Sequence, residues 1–208
     1  MQARDSGSPS ARADRRTITE TARRAQIVRA AIETIAELGY RGASFAQIAK
    51  RAGLSSTGLI SYHFAGKDEL IEQVVGEIFG SISGFMADRV QAESSAGGRL
   101  RAYIEGNVEF IGTHRSEMKA LLEVFLNGGL HYDGETDLTV VSHVEQILRS
   151  GQEAGEFRDF DARVVAAAIQ RAVDGLPLLL ESTPELDLEA FARELVTLFE
   201  LGIRRADR

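Results

Sequence analysis

The feature that most constrains this chain is the stretch from Phe45 to Phe64, whose residue spacing is that of a helix-turn-helix. Two short helices that cross steeply need an apolar contact, Ile48, and a small residue at the crossing, Ala49. Gly53 allows the turn a positive φ without a Cβ clash. The residues expected on the inner side are Leu54, Leu59, Ile60 and Phe64. Those expected on the outer side are Ser56, Thr57, Gly58, Ser61 and Tyr62. An ordinary helical hairpin with a glycine turn is the alternative.

The spacing of apolar residues predicts an all-α fold, because no segment alternates with period two for long enough to form a sheet. Residues 1–18 are expected to form a flexible basic arm, and the first helix is expected to start near Thr19 or Thr21. The remaining predicted helices cover 45–52, about 56–64, 67–90, 99–113, 115–127, 137–151, 162–181 and 188–205. Ser44, Asp161 and Asp187 are expected N-caps, Ser55 or Ser56 is expected to cap the third helix, and Pro177 should kink or shorten its helix.

Charge and composition narrow the range of functions that this chain can have. Residues 1–67 carry 11 lysines and arginines against 5 acidic residues, whereas the rest carries 13 against 26. A basic head on an acidic body indicates that one end meets phosphates. The absence of cysteine excludes thiolate chemistry and fits a cytoplasmic protein. No apolar run approaches the roughly 18 residues of a membrane span, and no signal peptide is recognised.

The run from Thr21 to Leu70 resembles the DNA-binding domain of the TetR family of bacterial transcriptional regulators. The matching elements are Gly39-Tyr40, the segment Ile48-Ala-Lys-Arg-Ala-Gly-Leu-Ser55, Tyr62-His63-Phe64, and Lys67-Asp68-Glu69-Leu70. From Ala52 to Phe64 the chain is one residue longer than the commonest family spacing. The resemblance covers about 50 of the 208 residues and agrees at several spaced elements.

The expected DNA contacts follow from the outward face and from this resemblance. They are Ser55, Ser56, Thr57, Gly58, Ser61, Tyr62, His63 and Lys67. Lys67 opens a helix, where free N–H groups already favour an anion, and the resemblance implies a phosphate contact. His63 is as well suited to closing the small core as to reaching DNA. Arginines of the N-terminal region either contact phosphates or are solvated: Arg12, Arg15, Arg16, Arg23 and Arg24.

Two further surfaces are implied by the resemblance. The last two helices of such regulators pair with their copies, so the predicted homodimer interface is Val165, Ile169, Val173, Leu176, Phe191, Leu195 and Leu198. The middle helices enclose a small-molecule pocket, for which the candidates are Met86, Tyr103, Asn107, Phe110, His114, Met118, Phe125 and His143. Either set is alternatively ordinary core.

The combined prediction is a flexible arm (1–18), a tri-helical helix-turn-helix domain (19–66) and a larger helical effector-binding and dimerisation domain (67–208). The expected function is a repressor that binds a palindromic DNA operator as a homodimer and is released by an unknown small molecule. No metal site, cofactor, membrane partner or enzymatic activity is expected, since no ligand spacing, phosphate loop or nucleophile motif occurs. A regulator without an effector and a helical enzyme or scaffold are the competing hypotheses.

Overall fold

The computed structural model describes residues 9–127 and 134–205, with side chains described from residue 19 and, after the gap, from residue 140. Within these ranges the chain is all-α, and the only β contact there is an isolated bridge between Phe157 and Arg204. The ten helices are α1 (Pro9–Gly42), α2 (Phe45–Arg51), α3 (Gly58–His63), α4 (Lys67–Gln91), α5 (Ala96–Thr113), α6 (Arg115–Leu126), α7 (Gly134–Glu153), α8 (Ala162–Asp174), α9 (Leu176–Ser182) and α10 (Leu188–Ile203).

The first helix begins at Pro9, about ten residues before the predicted start near Thr19 or Thr21. Proline is well placed in a first helical turn because its missing N–H would have no partner there. The residues that follow are rich in alanine and arginine, which favour helix over coil. The helix is broken at Gly39, whose φ of 74° is a conformation that glycine adopts without a Cβ clash.

Most helix ends match their sequence signals. The side chains of Ser44, Asp161 and Asp187 each accept a backbone hydrogen bond at the start of α2, α8 and α10, as predicted. The predicted helix over 162–181 is divided at Gly175, directly before the Leu176-Pro177 start of α9. The predicted cap of α3 is wrong: Thr57 is the N-cap, without a side-chain capping bond, and both serines lie in the turn.

Two apolar clusters share helix α4. The first joins α1, α2 and α3 with the first half of α4 and with Ala120, Leu121 and Val124 of α6. The second joins the far end of α4 to α5, α7, α8 and α10. The N-terminal core therefore extends past residue 66 into α4 and α6. Leu38, whose spacing places it at the edge of the apolar face of α1, is 45% exposed.

Helix α4 is the one described helix that is long and apolar enough to cross a membrane by length and composition alone. No membrane-spanning segment was expected, because no uninterrupted apolar run of the sequence approaches that length. Its buried side chains run from Leu70 to Val90 and contribute to both clusters. Since its apolar residues are used in packing, we interpret α4 as the central helix of the core.

Candidate DNA interface and effector cavity

The turn between α2 and α3 is built as the sequence requires. Gly53 takes a φ of 64°, and its N–H donates to Lys50 O at 3.2 Å. The next N–H, that of Leu54, donates to Ala49 O at 2.9 Å. This pair of bonds is a Schellman cap, which needs a left-handed residue at the glycine position. The turn thus ends α2 and redirects the chain into α3 while it satisfies the carbonyls of Ala49 and Lys50.

The outer face of α3 contains most of the predicted DNA contacts. Ile60 and Phe64 are buried one helical turn apart and hold the inner face, as predicted. Tyr62 is 68% exposed. The other exposed candidates are Ser55, Ser56, Thr57, Gly58 and Ser61. His63 is half-buried, with its ring edge-on to Tyr62 at 5.0 Å between centroids. The structure therefore gathers these residues at one end of the molecule.

Leu59 does not anchor α3, contrary to expectation. It is 37% exposed, because the inward direction of this short helix is set by Ile60 and Phe64 at i and i+4. Leu54, expected to be buried in the turn, is half-buried. Leu59 precedes Tyr62 by three residues and therefore shares its outer face.

Helix α1 holds the helix-turn-helix in place through two polar side chains. Gln26 Nε2 donates to Ala52 O, at the end of α2, at 2.7 Å. Arg24 donates to the His63 carbonyl at the end of α3, and its guanidinium lies 4.3 Å from the centroid of the Phe64 ring. Arg24 also pairs with Glu69 at 3.4 Å. Arg24 is thus engaged within the protein rather than presented as a separate phosphate ligand.

Lys67 occupies the start of α4 and is partly enclosed. Its Nζ donates to Tyr40 O at 2.8 Å and lies 4.1 Å from the centroid of the Tyr40 ring. Burial lowers the Lys67 pKa, and the Asp68 carboxylate partly opposes this shift. Because an ammonium has three N–H donors, the contact with Tyr40 leaves donors for a phosphate.

The break in α1 is linked to α6. At Gly39 the helical ladder stops, and the Tyr40 N–H donates instead to Glu123 Oε2 at 3.1 Å. Asn127 holds the same carboxylate from one turn later, at 3.3 Å. Glu123 of α6 therefore contacts Tyr40, the residue whose carbonyl also accepts the hydrogen bond from Lys67. The N-terminal unit and the helical body are joined through hydrogen bonds as well as apolar packing.

A cavity of about 650 Å³ lies between α4, α5, α6, α7, α8 and α9. Most of its wall is apolar and aromatic. Of the eight predicted pocket residues, seven line it: Met86, Tyr103, Asn107, Phe110, Met118, Phe125 and His143. Helix α4 contributes Phe79 and Ile82, and α6 contributes Leu121 and Leu122. The volume is in the range of sites for drug-sized molecules.

His114 is the predicted pocket residue that the cavity leaves out. It lies at the junction of α5 and α6, where its ring stacks on Phe110 at 4.0 Å and 5°. Its Nδ1 lies 2.9 Å from Thr113 Oγ1. Because the ring packs on Phe110 while Phe110 itself lines the cavity, His114 supports the wall from behind.

One edge of the cavity is polar. Tyr103 Oη donates to Gln170 Oε1 at 2.5 Å, and Gln170 Nε2 donates to Asp174 at 2.7 Å. Arg171 pairs with the same carboxylate at 3.2 Å. Burial, and to a smaller extent Asp174, raises the Tyr103 pKa above its usual value, so the phenol is neutral at physiological pH. This edge is therefore a hydrogen-bonding surface whose charges are paired.

The predicted dimer interface is wrong for three residues. Ile169, Val173 and Leu176 are fully or almost fully buried in the chain's own core. Val165, Phe191 and Leu195 are partly buried against the apolar core of the same chain, whereas Leu198 is exposed. The error has a simple cause, because α8 and α10 are apolar on two sides and periodicity does not say which side faces inward. The exposed large apolar residues of α8, α9 and α10 are Val164, Leu178, Leu179, Leu198 and Leu201.

Sequence reasoning missed Leu59, Glu123 and the Gln170–Asp174 pair. For Gln170 and Asp174 a signal existed, since two polar residues at i and i+4 interrupt the apolar stripe of α8. Leu59 and Glu123 carried no such signal, because their positions depend on how separate helices pack.

Comparisons with known proteins agree on a family. The model of the family described as "Bacterial regulatory proteins, tetR family" matches residues 27–74. The HTH-type transcriptional regulator BetI of Cronobacter sakazakii is 34% identical over 185 residues, which cover 85% of this chain and 88% of that protein. BetI of Escherichia coli (strain UMN026) is 37% identical over 173 residues, covering 76% and 87%.

Solved structures share the fold. A TetR transcription regulator from Haloarcula marismortui superposes with a TM-score of 0.78 at 18% identity, over 89% of this chain and all of that chain. The transcriptional regulator FadR of Bacillus subtilis, solved in complex with stearoyl-CoA, superposes with a TM-score of 0.73 at 23% identity. This superposition covers 84% of this chain and 96% of that chain.

Proposed function

This chain belongs to the TetR family of bacterial transcriptional regulators, and on that basis we propose that it is a repressor released from a palindromic operator by a small molecule. It is a transcriptional regulator and not an enzyme. The observation that carries the proposal is the outer face of α3, in a helix-turn-helix that α1 holds at the end of α2 through Gln26 and at the end of α3 through Arg24. A helix presented in this way enters the major groove of DNA. The protein acts in the cytoplasm.

The operator contacts divide into two kinds. Thr57, Ser61 and Tyr62 lie on the exposed face of α3 and meet base edges. Lys67 lies beside this face and contacts a phosphate with the donors that Tyr40 leaves available. Ser55 and Ser56, in the turn before α3, and His63, at its end, complete the contact surface, where Gly58 allows close approach of the backbone.

The proposed dimer interface uses the exposed apolar residues of the last three helices. Val164 and Leu198 are both more than 60% exposed, and Leu201 lies one turn beyond Leu198. Exposed apolar groups on helices of this kind mark a surface that a partner covers. A six-residue recognition helix reads few bases, so a two-fold dimer that reads two half-sites is needed for useful affinity.

The cavity is the proposed effector site. Its apolar wall and the neutral hydrogen-bonding edge at Tyr103 and Gln170 suit a largely apolar molecule with an uncharged polar group. FadR with its stearoyl-CoA illustrates that a protein of this fold accepts a long apolar ligand. This cavity favours the effector-controlled regulator over one that binds DNA constitutively.

The cavity and the DNA-facing end share two helices. Helix α4 begins at Lys67 and reaches the cavity through Phe79 and Met86. Helix α6 lines the cavity with Leu122 and holds the break in α1 through Glu123. A ligand that displaces either helix alters the spacing of the two recognition helices in the dimer and weakens operator binding.

Lys67→Ala and Thr57→Ala should weaken operator binding in different ways. Lys67→Ala removes a phosphate contact, so affinity should fall by a similar factor on operator and on random duplex. The slope of the logarithm of the association constant against the logarithm of the salt concentration should become less steep by about 0.9. Thr57→Ala or Ser61→Ala should instead relax preference at one or two base positions, with little change in affinity for random duplex. Fluorescence anisotropy with both duplexes at several salt concentrations measures these quantities.

The matched control for Lys67→Ala is Lys119→Ala, a lysine of α6 that pairs with Glu181 of α9 rather than lying near α3. It should leave both affinities and the salt slope unchanged. An equal loss on specific and random DNA for Thr57→Ala and Ser61→Ala would show that these residues do not read bases.

A further inference from the structure

The outer face of α3 lacks the side chains that usually recognise guanine. Guanine is read in the major groove by arginine or lysine, and adenine by asparagine or glutamine. None of these four residue types occurs between Thr57 and His63, and cytosine-reading carboxylates are absent from the same segment. The polar groups of this face are hydroxyls, which accept and donate and therefore discriminate weakly between bases.

The cations nearest α3 are engaged elsewhere. Arg24 lies beneath the end of α3, bound to the His63 carbonyl and stacked on Phe64. Lys67 donates to the Tyr40 carbonyl and covers the Tyr40 ring. Arg51 pairs with carboxylates of α1. The exposed Gln47 and Lys50 belong to α2, the helix that crosses the DNA backbone in this motif.

In place of a basic, amide or carboxylate side chain, the outer face of α3 presents the apolar side chain of Leu59. More than a third of its surface is exposed, on the side of α3 that also carries Tyr62. The preceding Gly58 has no side chain, and α3 can approach a groove closely there. The one apolar group that base edges present in the major groove is the C5-methyl of thymine. An exposed leucine therefore has a single apolar partner available in that groove.

We propose that this protein reads its operator half-sites through thymine methyl groups, with Leu59 as the specificity-determining residue. The proposal rests on the proposed function, in which α3 enters the major groove. Each half-site then carries an A·T pair opposite Leu59, and no guanine is obligatory beneath α3. The methyl group of Thr57, at the start of the same face, offers a second contact of the same kind.

The experiment first enriches duplexes from a random library with the full-length protein, and then replaces thymines of the best duplex by deoxyuridine, one position at a time. Deoxyuridine lacks only the methyl group. At the thymine opposite Leu59, we expect an affinity loss of about fourfold per half-site, the worth of one buried methyl, and about fifteenfold when both half-sites are changed. Leu59→Ala should bind the thymine duplex correspondingly less well and be insensitive to the same replacement.

The matched control is Leu126→Ala, which truncates an exposed leucine of α6 outside the recognition helix and should retain the deoxyuridine response. An equal deoxyuridine effect in wild type and Leu59→Ala would overturn the role of Leu59. Enrichment of an invariant guanine beneath α3, or tolerance of deoxyuridine at every position, would overturn the proposal while leaving DNA binding intact. Failure to enrich any duplex would instead contradict the proposed function.

Discussion

Replacing both Leu198 and Leu201 by glutamate should convert the proposed dimer into a folded monomer. Both side chains are more than 60% exposed in the single chain, so their replacement leaves its core intact. In a dimer the same positions are buried, and an unpaired buried charge costs several kcal/mol or more. Because a monomer engages one half-site, its affinity for a palindromic operator should fall by roughly a hundredfold or more.

Two controls separate the interface from the core. Leu126→Glu places the same charge at a leucine that is 67% exposed on α6, and it should remain dimeric. Ile169→Glu places it at a residue with no exposed surface, and it should unfold the chain rather than dissociate it. Analytical ultracentrifugation and circular dichroism distinguish the three outcomes. If the double variant remains dimeric, the dimer interface does not include this face of α10.

A compound that occupies the cavity should lower operator affinity by about 5–150-fold, corresponding to a coupling free energy of about 1–3 kcal/mol. Such compounds are found by thermal shift, since a ligand at a hundred times its Kd stabilises the folded state by about 2.7 kcal/mol. Linkage requires that operator DNA lower the protein's affinity for the same ligand by the same factor. Titrations of ligand with and without operator measure this reciprocity.

The matched variants for this prediction are Leu122→Trp and Leu126→Trp, one helical turn apart on α6. Leu122 lines the cavity, and a tryptophan there fills space that the ligand needs. Leu126 faces outward, and its replacement should leave ligand binding unchanged. Equal ligand affinity with and without operator would show that the cavity does not control DNA binding.

The helix-turn-helix was predictable because its determinants are local. Gly53 needs a left-handed φ, Ser44 caps the helix that follows it, and Ile60 and Phe64 are separated by one helical turn. Each of these signals lies within a few residues of the structure that it specifies. The burial of Leu59 is not determined locally, because the packing of α3 within the N-terminal core decides which of the adjacent residues Leu59 and Ile60 is buried.

The dimer interface and the cavity depend on packing between helices that are distant in sequence. In α8 the apolar residues Val164 and Ile169 are both compatible with a buried face, and only the neighbouring helices make Ile169 the inner one. The cavity draws residues from six helices, so its candidates were chosen by chemistry alone. That choice found Tyr103 and His143 but passed over Gln170 and Asp174, whose hydrogen bonds place them at the cavity edge.

The central claim is that two copies of this chain bind one palindromic duplex through α3 and nearby phosphate contacts. Sedimentation of the full-length protein with its enriched duplex, repeated from about 50 to 200 mM salt, tests it most directly. We expect two protomers per duplex. We also expect an affinity that falls steeply with salt because bound counterions are released, by about 10³–10⁵ if six to ten phosphates are contacted. Absence of binding at low salt, or one protomer per palindrome, would contradict it.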